Sequence, residues 1–148
     1  MGIDPKKVEV KYETLVVIWA SLLVSQAVFL ILIYFIRPRL FSEDPAQPLL
    51  GDKPLITVIF AAMAIAVLSL SYILRRQHTA RALRDHDPSC VQTGLVLGCV
   101  LSEFCSILGL ILAIGFSYHY FFIWSALGLF GVLFHFPRKG TYDAAILN

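Results

Sequence analysis

Long apolar stretches alternate with short polar segments along this chain of 148 residues. Four of the stretches contain no lysine or arginine, and each is close to the roughly 20 residues that a helix needs to cross about 30 Å of hydrocarbon. The pattern predicts an all-α, polytopic membrane protein that forms one domain, residues 1–148, with a four-transmembrane-helix bundle. The predicted helices cover residues 14–36, 55–74, 91–116 and 118–136.

The segments between these helices contain sequence signals for helix starts, helix ends and turns. Asp87, Pro88 and Ser89 form a typical helix start, and they precede the third stretch. The segment GFSYHYF has no formal charge and no proline, so we place the turn between the last two helices within residues 115–120. The first stretch is too long for a secretory signal and is ended by IRPRL, so we predict a retained helix.

The composition agrees with a bilayer environment. Hydrophobic residues make up 58% of the chain and charged residues 15%, with a mean hydropathy of +0.77. Soluble domains average roughly 45–50% apolar and 25% charged residues. The net charge is only +2, which gives no reason to propose nucleic-acid binding. We therefore expect an integral membrane protein in contact with a lipid bilayer.

The basic residues of the polar segments predict the orientation of the helices. Because cytoplasmic loops carry an excess of lysine and arginine, both termini and the segment RRQHTARALRDHDPS are predicted to be cytoplasmic, in a bacterial inner membrane. That basic segment is either a short amphipathic surface helix or a solvated connector. The cytoplasmic side would hold Lys6, Lys7, Lys11, Arg75, Arg76, Arg81, Arg84, Arg138 and Lys139, and the other side Arg37, Arg39 and Lys53.

Aromatic residues near the helix ends are interpreted as interfacial belts. They are Tyr12 and Trp19 in the first helix and Tyr118, Tyr120, Phe121, Phe122 and Trp124 around the start of the fourth.

In the loop before the second helix, Leu49 and Leu50 either dock a partner or fold back onto the chain's own helices.

The third predicted helix carries a stripe of small residues on one face. At about 100° per residue, the members fall within about 100° of one another, a pattern typical of close helix contact in membranes. With Ser125, Gly128 and Gly131 of the fourth helix, the stripe favours a homo-oligomer or contacts with other membrane subunits. The stripe consists of Gly94, Gly98, Ser102, Cys105, Gly109 and Ala113.

Glu103 lies opposite the centre of that stripe, near the middle of an apolar stretch. An ionised, unpaired carboxylate in the bilayer centre costs several kcal/mol, so Glu103 is expected to hold a proton or a polar partner. The strongly polar residue at a comparable depth is Gln26, and we predict a hydrogen bond between the two. Gln92 and Cys99 share the face of Glu103 and complete the predicted ion-binding set.

The segment DPSCVQTGLVLGCVLSEFCSILGLIL resembles the second helix of the ATP synthase c subunit, the proteolipid of rotary rings. Both have a polar loop, then Gln92 and Thr93 in this chain, then an acid, then a glycine-containing apolar run. The resemblance implies that Glu103 binds the translocated proton or cation and that the polar loop is cytoplasmic. A non-catalytic accessory subunit that braces a larger respiratory or other energy-transducing membrane complex is the alternative function.

The other reactive side chains form no recognisable catalytic pattern. Cys99 and Cys105 lie on different faces of one helix, and the chain has no C-x-x-C motif. The histidines are spread over different predicted depths, and no nucleotide-binding or protease motif occurs. We therefore predict no enzymatic activity, no cofactor and no metal site.

Overall fold

A computed structural model describes residues 5–41, 48–85 and 88–147, and within them every regular element is a helix. Three proline residues, Pro5, Pro54 and Pro88, begin the three longest helices, as expected for a residue without an amide hydrogen. The elements are α1 Pro5–Ile36, a 3-10 helix Pro38–Phe41, α2 Pro54–Asp85, α3 Pro88–Phe116, α4 Phe121–Phe134 and α5 Lys139–Leu147.

Three helices are long and apolar enough to cross a membrane, which confirms the prediction of a helical membrane protein. The apolar segments are Tyr12–Ile36, Pro54–Asp85 and Ser89–Phe116. The fourth helix is shorter than the predicted 118–136, because α4 has only 14 residues. At 1.5 Å per residue it is about 21 Å long, less than the roughly 30 Å of hydrocarbon in a bilayer.

The basic segment after residue 74 continues α2 as a helix to Asp85. It contains no glycine or proline, and its arginine, alanine, leucine and glutamine residues are strong helix formers. It is therefore neither a separate surface helix nor an irregular connector. α3 begins at Pro88 as predicted, whereas Asp87, the expected cap of that helix, lies outside the described residues.

Helix α3 is the centre of the bundle and packs against α2, α4 and α1. Half of its apolar segment is buried inside the protein, against 11% for α1 and 17% for α2. All six members of the small-residue stripe are buried. An added Cβ at Gly94 would lie 2.7 Å from the His78 Cβ of α2, and one at Gly109 would lie 2.6 Å from the Trp124 Cβ of α4.

The stripe therefore packs against the chain's own helices. The Gly131 side of α4 meets the same surface, since an added Cβ there would lie 2.7 Å from Ser102. Ser125 and Gly128 are buried as well. The expectation that these residues form contacts with another subunit is corrected by this arrangement, because α2 and α4 already cover them. Any contact with a second copy has to involve other surfaces.

The chain reverses direction between α3 and α4 at Ser117, whose φ of 50° is in the left-handed region. The next amide, Tyr118 N–H, donates to the Leu112 carbonyl across 3.1 Å and closes the end of α3. The Tyr118 hydroxyl donates to the Leu49 carbonyl across 2.8 Å. The backbone of the preceding loop is thus held on the bundle while the Leu49 and Leu50 side chains stay 62% and 45% exposed.

The start of α1 and the segment after α4 lie at the same end of the bundle. The Tyr12 hydroxyl donates to the Pro137 carbonyl across 3.2 Å, and the rings of Tyr12 and Tyr142 have centroids 6.4 Å apart. Trp19 donates through Nε1 to the Val132 carbonyl across 2.9 Å. Tyr12 and Trp19 of α1 thus hold the end of α4 and the segment that follows it.

The aromatic residues near α4 do not form an interfacial belt as a group. Tyr118, Phe121 and Trp124 are buried in the core, and only Phe122 of the neighbouring rings is largely exposed, at 54%. The belt interpretation is wrong for the three buried residues because Tyr118 and Trp124 pack against α2 and α3, and Phe121 packs against α1 and α3.

Candidate functional site

Glu103 lies near the middle of α3, is half-buried, and faces the middle of α1. One of its carboxyl oxygens is in hydrogen-bonding contact with Ser25 Oγ. The same hydroxyl oxygen lies 2.6 Å from the backbone carbonyl oxygen of Leu22, one turn earlier in α1. Ser25 therefore connects the carboxyl group of Glu103 with a backbone acceptor.

The Ser25 hydroxyl has two possible hydrogen-bond partners in this contact. A serine hydroxyl has one proton to donate, and the carbonyl of Leu22 can only accept. If Glu103 were ionised, its carboxylate and the Leu22 carbonyl would compete for that single proton. If Glu103 is protonated, it donates to Ser25 Oγ while Ser25 donates to Leu22, and both contacts are hydrogen bonds. The Ser25 hydroxyl can therefore donate to a carboxylate or accept from a protonated carboxyl group.

A second polar pair lies beside the first. Ser106 Oγ donates to Gln26 Oε1, and both residues are buried, at 1% and 5% exposure. The amide Nε2 of Gln26 is buried without a hydrogen-bond partner in the described part of the chain. A flip of the amide group would exchange the positions of Oε1 and Nε2, and one of these two atoms would still have no hydrogen-bond partner. An unsatisfied buried polar group costs about 1–3 kcal/mol, so this amide is able to bind a further polar group.

The predicted hydrogen bond between Gln26 and Glu103 is replaced by these two serine contacts. Consecutive helical residues point about 100° apart, so Ser25 faces Glu103 while Gln26 faces Ser106 on the next turn of α3. We call Ser25, Gln26, Glu103 and Ser106 the Glu103 site. Sequence reasoning missed both serines, although each lies within three residues of a predicted member.

The other two predicted members of the ion-binding set lie elsewhere. Gln92 is exposed at the start of α3, eleven residues before Glu103, which corresponds to about 16 Å along the helix axis. Cys99 is fully buried as a free thiol and packs with Leu15, Leu95 and Val132. The structure therefore separates Gln92 from the Glu103 site and packs Cys99, one turn before Glu103, into an apolar cluster.

A second buried polar cluster joins α2, α3 and the end of α4. Ser71 Oγ lies 3.5 Å from Ser102 Oγ and 3.5 Å from His135 Nε2. His135 Nδ1 lies 2.7 Å from the Gly131 carbonyl oxygen. Because that carbonyl can only accept, Nδ1 carries the proton, and neutral His135 accepts at Nε2. Sequence reasoning placed His135 near a helix end but did not predict these partners.

The pKa of His135, which lies just beyond α4, is lowered from its ordinary value of 6.5. Burial is the main cause, and the positive charge of Arg75 adds to it, against the favourable hydrogen bond to Gly131. A histidine whose folded-state pKa is below its unfolded value contributes full stability above the unfolded pKa. This contribution is lost as the pH falls below that value, because the unfolded chain then binds the proton more readily.

We expect acidification to destabilise the wild-type protein more than a His135→Asn variant. The asparagine amide can donate to the Gly131 carbonyl in place of Nδ1, but it does not titrate. Melting temperatures measured in one detergent at about pH 7.5 and about pH 5.5 give the comparison. Equal losses on acidification in the two proteins would contradict a neutral, buried His135.

No group of three metal-ligating side chains from histidine, cysteine, aspartate and glutamate converges anywhere in residues 5–41, 48–85 and 88–147. In the described part of the chain, the buried polar side chains are instead one amide, two imidazoles, one threonine hydroxyl and several serine hydroxyls, and the Glu103 carboxyl group is half-buried. These groups are suited to hydrogen bonding between the helices.

Together these features define a helical membrane protein with a carboxyl group held between two apolar helices. No family model, no curated protein and no solved structure matches this chain. The Glu103 site is therefore the feature of the molecule that bears on its function.

Proposed function

We propose that this protein is a membrane subunit that binds and releases a proton, or another cation, at Glu103. The observation that carries the proposal is the double contact of Ser25 Oγ with Leu22 and Glu103, which is fully hydrogen-bonded when Glu103 is protonated. A carboxyl group that is half-buried among apolar helices is costly when ionised. An ion or a proton-accepting group that arrives there therefore finds an acid ready to exchange its proton.

Gln26 supports the release of a proton from Glu103, the second step of proton binding and release. After Glu103 loses its proton, the carboxylate requires donors, and Ser25 can supply only one. The unpaired amide of Gln26 is on the adjacent residue and has hydrogen-bonding capacity to spare. We propose that this amide donates a hydrogen bond to a water molecule, or to the ionised carboxylate itself, when Glu103 is deprotonated.

The resemblance to the acid-bearing helix of the ATP synthase c subunit supports the same assignment of Glu103. One departure matters for the mechanism. The c subunit pairs this helix with a glycine-rich one, whereas the α2 segment LITVIFAAMAIAVLSLSYIL has no glycine. We therefore propose proton or cation binding within a bundle of this chain, in which α1 supplies the partners of the acid, and we do not extend the proposal to a rotor ring.

The proposal is tested by labelling with a hydrophobic carbodiimide, which reacts with protonated carboxyl groups in an apolar environment. We expect labelling of the wild-type protein at Glu103, decreasing as the pH is raised, and none in Glu103→Gln. Glu13→Gln is the matched control, since Glu13 is an exposed glutamate of α1, and it should label like the wild type. Peptide mass spectrometry identifies the modified residue. Absence of labelling at every pH, or equal labelling of Glu13 and Glu103, would overturn the proposal.

An accessory subunit that braces a larger membrane complex is the second candidate. It is favoured by the same hydrogen bond between Ser25 and Glu103, because a contact within one chain also fixes the packing of α1 on α3. Purification in mild detergent separates the two functions. Co-purification of other membrane subunits in fixed stoichiometry, together with unlabelled Glu103, would favour the accessory role.

A further inference from the structure

The structure contains an open cleft of about 720 Å³ between α2 and the segment that joins α4 to α5. It lies at the end of the bundle where α1 begins and the chain ends. Its walls include three arginine residues, and none of the residues that line it is acidic. The residues that matter for its chemistry are Tyr72, Arg75, Arg76, Thr79, Phe134 and Arg138.

The three arginine residues do not have the same role. Arg75 donates through Nη1 to the Phe134 carbonyl across 2.8 Å and through Nη2 to the Phe136 carbonyl across 3.0 Å. It therefore stabilises the carboxyl end of α4. Within the described residues, the guanidinium groups of Arg76 and Arg138 form no hydrogen bond or ion pair. These two guanidinium groups leave the cleft positively charged and able to bind an anion.

The cleft also has an apolar side. Phe134 is 84% exposed and Tyr72 is 65% exposed, and both line the cleft beside the arginine residues. The apolar sequence of α2 ends at residue 74, so Arg75 and Arg76 are the first charged residues beyond it. The cleft thus extends from the apolar part of the helices to their polar continuation, as the boundary between acyl chains and headgroups does in a bilayer.

We propose that this cleft binds one anionic phospholipid, with its phosphate at Arg76 and Arg138 and its acyl chains along Tyr72 and Phe134. Basic pockets between membrane helices on the cytoplasmic side are suited to anionic headgroups, and the guanidinium fork matches phosphate oxygens. A freely soluble anion would use only the charged half of this surface. The lipid site is separate from Glu103, so either proposal can fail without the other.

The test uses the full chain purified in detergent, with phosphatidylglycerol as the probe and phosphatidylcholine and inorganic phosphate as comparisons. We expect phosphatidylglycerol to be retained in native mass spectra and to raise the melting temperature. Removing two charges near the headgroup, in the Arg76→Gln/Arg138→Gln variant, should weaken its binding about 30-fold. The wild-type protein should bind phosphatidylcholine weakly, and inorganic phosphate should not stabilise it.

Arg81→Gln/Arg84→Gln is the matched control, because it removes two charges from α2 outside the cleft. Arg84 is also paired with Asp85 across 3.1 Å. This control should weaken phosphatidylglycerol binding less than about threefold. Equal weakening in both double variants, equal binding of phosphatidylcholine, or stabilisation by inorganic phosphate alone would each overturn the proposal. If the cleft variant does not fold, displacement of phosphatidylglycerol from the wild-type protein by an equal concentration of phosphatidylcholine would overturn it.

Discussion

A Gly98→Ala substitution is expected to destabilise the bundle by about 2 kcal/mol. A Cβ atom at residue 98 would overlap the imidazole of His135, whose Cγ would lie only 3.3 Å away. The ring cannot easily move, since it is 4% exposed and its Nδ1 donates to Gly131. Overpacking costs typically 1–3 kcal/mol and occasionally more, while alanine regains about 1 kcal/mol of helix propensity over glycine.

Gly115→Ala is the control for this experiment. Gly115 lies in the same helix, but an added Cβ there has nothing within 4 Å. That variant should be as stable as the wild type, or more stable by up to about 1 kcal/mol. Unfolding in mixed micelles of mild and denaturing detergent measures both. If the two variants were equally stable, α3 would not approach His135 as closely as the structure has it.

A double variant tests whether overlap with the His135 ring is the cause of the lost stability. Combining Gly98→Ala with His135→Ala removes the ring that the new methyl group would strike. The double variant should lose less stability than the sum of the two single substitutions, because neighbouring residues that share one contact are not additive. Strict additivity would place the effect of Gly98→Ala outside this contact.

A Trp124→Ala substitution is expected to cost about 3 kcal/mol. Trp124 is 5% exposed and belongs to the core cluster of α2, α3 and α4 with Ala64, Cys105 and Leu108. Its Cβ packs on Gly109, which has no side chain that could move into the space left by the ring. Lipid tails are as apolar as a leucine side chain, so the loss comes from packing rather than from transfer into water.

Phe130→Ala is the matched control, because it truncates an aromatic residue of the same helix that is 60% exposed. Its effect should be within about 0.5 kcal/mol, as for most exposed positions. Equal stability of the two variants would restore the belt interpretation of Trp124, in which its ring faces the lipid interface.

The helices could be predicted from the sequence because their signals are local. Apolar runs without lysine or arginine predicted four membrane-length helices, of which three are confirmed, and Pro88 predicted the start of α3. The extension of α2 to Asp85 was also within reach, since its residues are good helix formers. It was missed because a cluster of arginine residues suggested the end of a membrane segment, and a helix can continue into water.

The Glu103 site was predicted only in part, for a geometric reason. The sequence identified Glu103 and Gln26 as polar residues at similar depths, and both lie at the contact between α1 and α3. The rotation of α1 about its axis decides which residues Glu103 and Gln26 contact. A rotation by one residue position, about 100°, changes the partner. Ser25 and Ser106 became the partners through that rotation, which depends on the packing of all helices.

The sequence by itself determined that this protein is a bundle of apolar helices with one acid in the middle of the third apolar stretch, because hydrophobicity and helix propensity are properties of neighbouring residues. Only the tertiary structure decided that α2 and α4 cover the small-residue stripe, that serine residues meet the acid and the amide, and that Arg76 and Arg138 share a cleft. These outcomes depend on how helices far apart in the chain are rotated against one another, and close packing at glycine residues such as Gly98 sets that rotation.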